Sequence, residues 1–444
     1  MKRGVLSIPS VHLTRAVLLW SMVIEFLFCI GVMPLYAITY PDMEMNTPNP
    51  VGSGARALGI GGAFIAVADD ATAASWNPSG MIQLKRPEIS FVGDIFSWNA
   101  NHKDVGTDAG SEERHLNYLS MVMPFELFRM NMVCSLNYQK LYEFSKKYEV
   151  YSQQASPTAS TLRISKKQNG ALNTLSPAFA IQLLPCLYFG ATANFWRKKE
   201  LDDYWENSSI IEEEEVAAQG VVRTTGKYYE HYGFSGFNFH IGLLWKITQY
   251  IHCGGVYKAP FEADIDHEYQ LVSMVEHSDA PTSNTYDYQT GKNRFTLHMP
   301  TSYGIGVRFQ PKDTYLIACD IYRTHWEDYI LHYPTGEEIS PINNKKKEKA
   351  DIHPVNHIHI GGEYFFLRDV MTIPLRFGLF YDPEPTEGGE DDFYGMSMGM
   401  GIAKENYAFD IAYQYRYGKK YDIELESTSV IHQRYIYLST IYYF

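Results

Sequence analysis

From about residue 87 onward, apolar and small or polar positions alternate in segments of about ten residues, the period of a half-buried β-strand. The clearest segment runs from Gly236 to Ile247: Phe237, Phe239, Ile241, Leu243, Trp245 and Ile247 share one face, and Gly236, Asn238, His240, Gly242, Leu244 and Lys246 share the other. Tyr394, Met396, Met398, Met400 and Ile402 alternate with Gly395, Ser397, Gly399, Gly401 and Ala403. The same holds for Ile373 to Tyr381 and Tyr407 to Tyr417. A soluble β-sandwich also alternates, but its outer face meets bulk water and favours Lys, Glu and Thr. Here the second face is rich in Gly, Ala, Ser and Asn, which suits a crowded interior, with lipid on the other side.

The chain ends on such a segment. Ile436, Leu438, Thr440, Tyr442 and Phe444 fall on one face of an uncharged closing strand. Free termini usually fray into water, so this ending is either a buried last strand of a soluble β-protein or the closing strand of an outer-membrane barrel. The barrel reading takes Tyr442 and Phe444 as its C-terminal insertion signal. Hydrophilic stretches between segments are uneven. Gln310 to Asp313 and Lys404 to Asn406 read as tight turns, whereas Asn101 to Glu113, Leu201 to Glu215, Glu276 to Asn293, Gly336 to Asp351 and Asp382 to Asp392 read as long loops. Short turns at one end and long loops at the other fit a barrel of about fourteen strands, an even number that returns both ends to one side. The expected fold is therefore an all-β transmembrane antiparallel β-barrel spanning 87–444.

Composition sharpens this. The 444 residues include 34 Tyr and 24 Phe, residues suited to strands and interfacial belts. A mean hydropathy of −0.25 is too polar for a helical membrane bundle. The long apolar stretch lies at the start: Lys2, Arg3 and Arg15 precede an apolar core, and Pro34-Leu35-Tyr36-Ala37 follows it. That order predicts a signal peptide over 1–37; an anchoring helix is the alternative, but Glu25 interrupts the ~20 apolar residues a span needs. Cys29 follows a bulky Phe28 and does not suit lipoprotein processing. Loss of 1–37 removes Lys2, Arg3, Arg15 and Glu25, so a net charge of −13 becomes −15. Such a chain lacks the basic footprint of nucleic-acid binding. Cys134, Cys186, Cys253 and Cys319 are isolated, which indicates neither a zinc site nor a disulfide scaffold.

Between the signal and the first strand, Asn49 to Gly80 is rich in Gly and Ala and does not alternate. Its Gly pairs lack the preceding strand and the spacing of a dinucleotide loop. Small residues let a chain pack closely against a wall, as a lumen plug must. This stretch resembles the FadL family of outer-membrane transporters of long-chain fatty acids and aromatic hydrocarbons such as toluene. The resemblance rests on the run through Gly59, Gly61, Gly62 and Ala63, on Ala68-Asp69-Asp70-Ala71, and on Trp76-Asn77-Pro78-Ser79-Gly80, where Ser79 stands for the Ala of the family's hatch motif. Met299 to Phe309, Asp320 to Trp326, Leu375 to Pro385 and Asp410 to Tyr415 also look like the family; the middle of the chain, roughly 100–290, shows no such likeness.

The resemblance implies a fourteen-stranded barrel whose hatch, 38–86, plugs the lumen. It implies passive uptake of hydrophobic small molecules across the outer membrane of a diderm bacterium, with sideways release beside a kinked strand near the N-terminus. Outer-membrane lipids and the barrel-assembly machinery are then the expected partners, and no cofactor, metal or enzyme activity is expected. Gly59, Gly61, Gly62, Ala63, Asp69, Asp70, Asn77, Pro78 and Ser79 are the candidate hatch and gating residues; Pro78 fixes φ and lacks an N–H, so the backbone there cannot simply join a sheet. Arg308 and Arg376 are candidate partners for a ligand carboxylate, or lumen charges in a polar network. The other reading is a FadL-like shuttle or scaffold holding secreted proteins at the cell surface through the long loops. His353, His357 and His359 share a strand face, as metal ligands or as lumen polar groups.

Overall fold

The computed structural model describes residues 49–50, 52–102, 106–154, 159–217, 220–422 and 427–444; the expected signal peptide lies outside them. Fourteen antiparallel passes form the wall. They are β1 Glu88–His102, β2 Gly106–Leu127, β3 Met130–Glu143 continued by Lys146–Gln154, β4 Ala159–Leu184, and β5 Leu187–Trp196 continued by Tyr204–Ala217. Next come β6 Gly220–Lys246, β7 Ile251–Lys258 continued by Phe261–His277, β8 Thr285–Met299 continued by Ser302–Lys312, and β9 Tyr315–Thr324. The ring is completed by β10 Val355–Arg368, β11 Met371–Tyr381, β12 Phe393–Ala403, β13 Tyr407–Asp422 and β14 Ser427–Tyr443. β1 pairs with β14 from Glu88↔Tyr443 to His102↔Ser429, which closes the sheet and leaves no free edge there.

The alternation decides which face is which. Met396, Met398, Met400, Phe237, Phe239, Leu243 and Trp245 all point out and are exposed, as a lipid-facing surface must be. Their neighbours Ser397, Asn238, His240 and Leu244 point in and are buried. Tyr442 and Phe444 stand on the outer face at the end of β14, with rings edge to face at 5.0 Å.

Three of the expected long loops are mostly strand. Leu201 to Glu215 lies mostly in the second part of β5, and Glu276 to Asn293 supplies the end of β7 and most of the first part of β8. The Glu212–Glu215 run faces Arg223 and Thr224 across the ladder to β6, with Arg223 bonded to Glu214 at 2.7 Å. Asn101 to Glu113 is likewise mostly the end of β1 and the start of β2. Charged side chains on these strand ends, among them Glu212, Glu214 and Arg223, break the apolar half of the alternation, so they read as loops.

Inside the lower lumen lie α1 Ala55–Gly59, α2 Ala73–Trp76 and a 3₁₀ turn Pro78–Gln83. Ala57, Ile60, Ala63, Phe64, Val67, Ala68, Ala71, Ala73 and Ala74 from this segment form a fully buried cluster against the wall. Higher up, a row of rings crosses the inner wall from strand to strand. Phe144 stacks on Trp205 at 4.9 Å, Trp205 on Tyr232 at 4.9 Å, Tyr232 on His267 at 4.5 Å, and His267 lies 5.5 Å from Phe295. Register makes this row: Trp205 faces Tyr232 and Tyr232 faces His267 on neighbouring strands.

Candidate functional site

The buried N-terminal segment is held by charge, by hydrogen bonds and by close backbone contact. Arg56 of α1 donates to Asp69 at 2.5 Å and to Glu363 of β10 at 3.0 Å. Arg376 of β11 donates to the same Glu363 at 2.6 Å and to Asp410 of β13 at 2.6 Å. The charges alternate in sign through a buried network, which is the condition under which buried ions are tolerated. Burial alone would raise the Asp69 carboxyl, but Arg56 and Arg308 hold it below its ordinary value. Burial raises Asp70, whose Oδ1 accepts from the Thr72 N–H at 2.8 Å and hydroxyl at 2.6 Å.

Asn77 caps the 3₁₀ turn, accepting from Ser79 N–H at 3.2 Å and the Ser79 hydroxyl at 2.6 Å. Its amide nitrogen donates to the Ile65 carbonyl at 2.8 Å and to the Leu243 carbonyl of β6 at 3.1 Å. Pro78 occupies the first turn, where a missing N–H costs nothing. One side chain thus ties the segment to itself and to the wall. Further ties run from Ala55 N–H to the Ser439 hydroxyl at 2.7 Å, from Ile65 N–H to Asp320 at 2.8 Å, and from the Ser397 hydroxyl to the Gly59 carbonyl at 3.0 Å.

Inward-facing glycines make the seat. A methyl at Gly378 of β11 would collide with Gly61 backbone, and one at Gly242 of β6 with Asn77 and Pro78. Gly61 and Gly62 have φ of +72° and +78°, a region that favours glycine. Of the sequence-predicted residues, Gly59, Gly61, Gly62, Ala63, Asp69, Asp70, Asn77, Pro78 and Ser79 therefore all lie in one buried body against the wall. The matching wall glycines were not singled out, although their place on the small face of each strand was the available signal.

The two candidate arginines separate. Arg376 is consumed by Glu363 and Asp410. Arg308 pairs with Asp69 at 3.5 Å and with Gln310, and lines a lower vestibule of about 770 Å³ with Lys85, Lys246 and His252. The three histidines also separate. His353 is exposed beside Asp351. His357 bonds to Asp382, and His359 donates to the Gly61 carbonyl.

Above the segment lies a cavity of about 170 Å³, bounded by Leu58, Trp76, Leu141, Tyr322, Phe380, Tyr435 and Tyr437, with Lys258, Ser302 and Thr324 among its polar lining. Leu141 sits where the wall is interrupted. β2 and β3 pair from Tyr118↔Gln139 to Leu127↔Met130 and again from Gly106↔Tyr151 to Ala109↔Tyr148, leaving Gly110–Asn117 and Lys140–Lys147 without ladder partners of each other. Asn117 is the extra residue of a bulge against β1, and Leu141 of a bulge against β4. The freed edge of β3 is met by the chain's own Asn49 and Pro50, which pair with Glu143 and Tyr142. Lys140 fills the interruption, its ammonium 3.0 Å from Asp94 and 3.1 Å from Glu143, with His115 at 2.9 Å.

A family model described as outer membrane protein transport protein (OMPP1/FadL/TodX) matches residues 44–439. Among solved structures, the CymD monoaromatic hydrocarbon channel is 15% identical, with 90% of this chain and 99% of that chain covered and a TM-score of 0.55. A Pseudomonas aeruginosa FadL homologue is 13% identical, with 90% and 100% covered and a TM-score of 0.58. The Ralstonia pickettii toluene transporter TbuX is 12% identical, with 89% and 99% covered and a TM-score of 0.52. No curated protein matches.

Proposed function

Because this chain belongs to the outer membrane protein transport protein family (OMPP1/FadL/TodX), we propose that it takes up hydrophobic molecules, aromatic hydrocarbons or fatty acids, passively across the outer membrane, with residues 38–86 acting as the hatch. The observation that carries this reading is the adjacency of three features: a segment seated in the lumen, a half-open cavity lined by that segment, and an interruption of the wall at Leu141 on the cavity's edge. A greasy molecule leaving there enters hydrocarbon without crossing bulk water, which conserves the free energy of apolar transfer.

Asn77, Pro78 and Ser79 serve as the gate in this reading, since Asn77 links the segment to the Leu243 carbonyl through one amide. The pairing of Asn49 and Pro50 with β3 connects the hatch to the wall opening itself. Deletion of 38–80 tests the reading. The barrel is expected to fold, shown by its shifted mobility when unheated, and to take up labelled toluene or oleate at a changed rate. Unchanged uptake in a folded deletion would remove the gating role.

A further inference from the structure

The cavity above the hatch has a chemical bias that goes beyond transport of hydrocarbon. Lys258 ends the first part of β7, on the same inward parity as His252, Gly254 and Val256. It lines the cavity, and among the described residues no carboxylate lies within ion-pairing distance of its ammonium. The other cations of the middle lumen are matched. Lys140 has Asp94 and Glu143, Arg376 has Glu363 and Asp410, and Arg416 has Glu384 at 2.9 Å and the Asp382 carbonyl at 2.6 Å. Lys246 also lacks a carboxylate, but it lies over the Tyr188 ring at 5.0 Å in the lower vestibule. Lys258 is thus a charge without an ion-pair partner on the wall of a half-open cavity, a costly arrangement unless something else supplies the anion.

Register places hydroxyls beside it. Lys258 faces Ser302 across the β7–β8 ladder, and Ser302 faces Thr324 across the β8–β9 ladder. Thr324 donates its hydroxyl to Ser302 Oγ at 3.0 Å, which leaves the Ser302 proton free for another acceptor. An ammonium and a hydroxyl one strand apart, ~4.8 Å, form a row of donors that suits the two oxygens of a carboxylate. The acidic group nearest in kind, Asp382 across the cavity, is already engaged by His357 and Arg416. The rest of the wall combines the rings and aliphatic groups of Trp76, Phe380, Tyr435, Leu58 and Leu141 with polar side chains, His357, His359, Gln414, Arg416 and Gln433 among them.

Size narrows the class further. The cavity measures about 170 Å³, close to the ~150 Å³ that accommodates benzene and below the ~300–1,000 Å³ of drug-sized ligand pockets. We propose that this cavity is a selectivity site for a single-ring aromatic carboxylate, its acid group on Lys258 and Ser302 and its ring among Trp76, Phe380 and Tyr435. The proposal rests on the uptake reading above and adds a charge requirement that a neutral hydrocarbon or a long acyl chain does not meet.

Binding to the purified full-length barrel in detergent tests it, with p-toluate, toluene and oleate as probes and calorimetry as the readout. The wild type is expected to bind p-toluate more tightly than either of the others. Lys258→Met is expected to weaken p-toluate about tenfold, the loss of ~1.4 kcal/mol, and to weaken toluene by a smaller factor. Lys258→Arg should restore most of the p-toluate affinity, and Ser302→Ala should lose part of it. Equal losses for p-toluate and toluene in Lys258→Met, or p-toluate affinity unmoved by that change, would overturn the charge requirement. Tighter binding of oleate than of p-toluate would overturn the size argument. If liposomes holding the wild type take up none of the three probes, the uptake reading itself fails; uptake of toluene with no p-toluate binding sinks only the site proposed here.

Discussion

From β10 to β14 the ladders pair without a register shift, whereas over the first three passes β1 and β2 slip at Asn117, β3 slips against β4 at Leu141, and β2 and β3 lose contact between their two paired stretches. Both arcs use the same alternating pattern, yet they do different things with their inner faces. The regular arc presents Gly361, Gly378 and Gly399 to the hatch backbone and clamps it through Glu363, Arg376 and Asp410. The interrupted arc presents bulged residues, Asn117 holding the Gly52 carbonyl at 3.0 Å and Leu141 reaching the cavity. One side of the barrel therefore seats and clamps the lumen segment, and the other carries the break in the wall that the proposed uptake route would use.

The strongest way to break this contrast is to remove the clamp. Glu363→Ala leaves Arg56 and Arg376 each short of a buried partner, a change that costs ~3–5 kcal/mol. Chemical unfolding of the detergent-solubilised barrel should show it, and a loss under ~1 kcal/mol would mean that the regular arc does not hold the hatch through charge. A smaller effect separates two glycines. Gly378→Leu forces a side chain into hatch backbone and is expected to cost ~1–3 kcal/mol, with new protease cleavage between 52 and 86. Gly93→Ala in the interrupted arc meets nothing closer than the His115 carbonyl oxygen at 3.7 Å, so stability should stay within ~0.5 kcal/mol. Equal sensitivity at the two positions would erase the distinction.

Deletion of Leu141 sharpens the comparison from the other side. It removes the extra residue, so that Lys140↔Asn173 and Tyr142↔Leu172 become consecutive pairs, and it does so without reversing which residues face inward. The wall should remain folded and uptake of labelled toluene should fall. Uptake at the wild-type rate would place the exit elsewhere.

Much of the regular arc was legible in the sequence, because Met396, Met398 and Met400 against Gly395, Ser397 and Gly399 leave one choice of lipid face. That Asn49 to Gly80 packs against a wall instead of joining it was legible through its glycines and Asn77-Pro78-Ser79. The interruption was not, for a physical reason. A bulge at Leu141 is one more apolar residue in an apolar context, and the spacing error it introduces is a single position. Lys258 was hidden for the opposite reason: a lysine at a strand end is ordinary, and only the absence of a neighbouring carboxylate in three dimensions gives it meaning. Arg376 was visible as a lumen charge, but its partners Glu363 and Asp410 lie 13 and 34 residues away, on strands whose adjacency depends on the count of passes.

The smallest expected effect is one of pH, and it concerns the loop that follows β11 in the regular arc. Burial alone would raise the Glu384 carboxyl, but Lys420, Arg416 and Lys146 hold it down to about 2 from an ordinary 4.5. Asp382 is likewise held well below its ordinary value, against its own burial, by His357 and Arg416. A carboxyl whose folded value is depressed contributes stability that is complete above its unfolded value and is lost as pH falls toward the folded one. The difference in unfolding midpoint between wild type and Glu384→Gln should therefore be constant from pH 7 down to about 4.5, then shrink as pH approaches 2. Heat-induced unfolding followed at intervals across that range measures it. A difference that shrinks already between pH 7 and 5 would mean that a group other than the Glu384 carboxyl governs this loop instead of the Arg416–Glu384 pair.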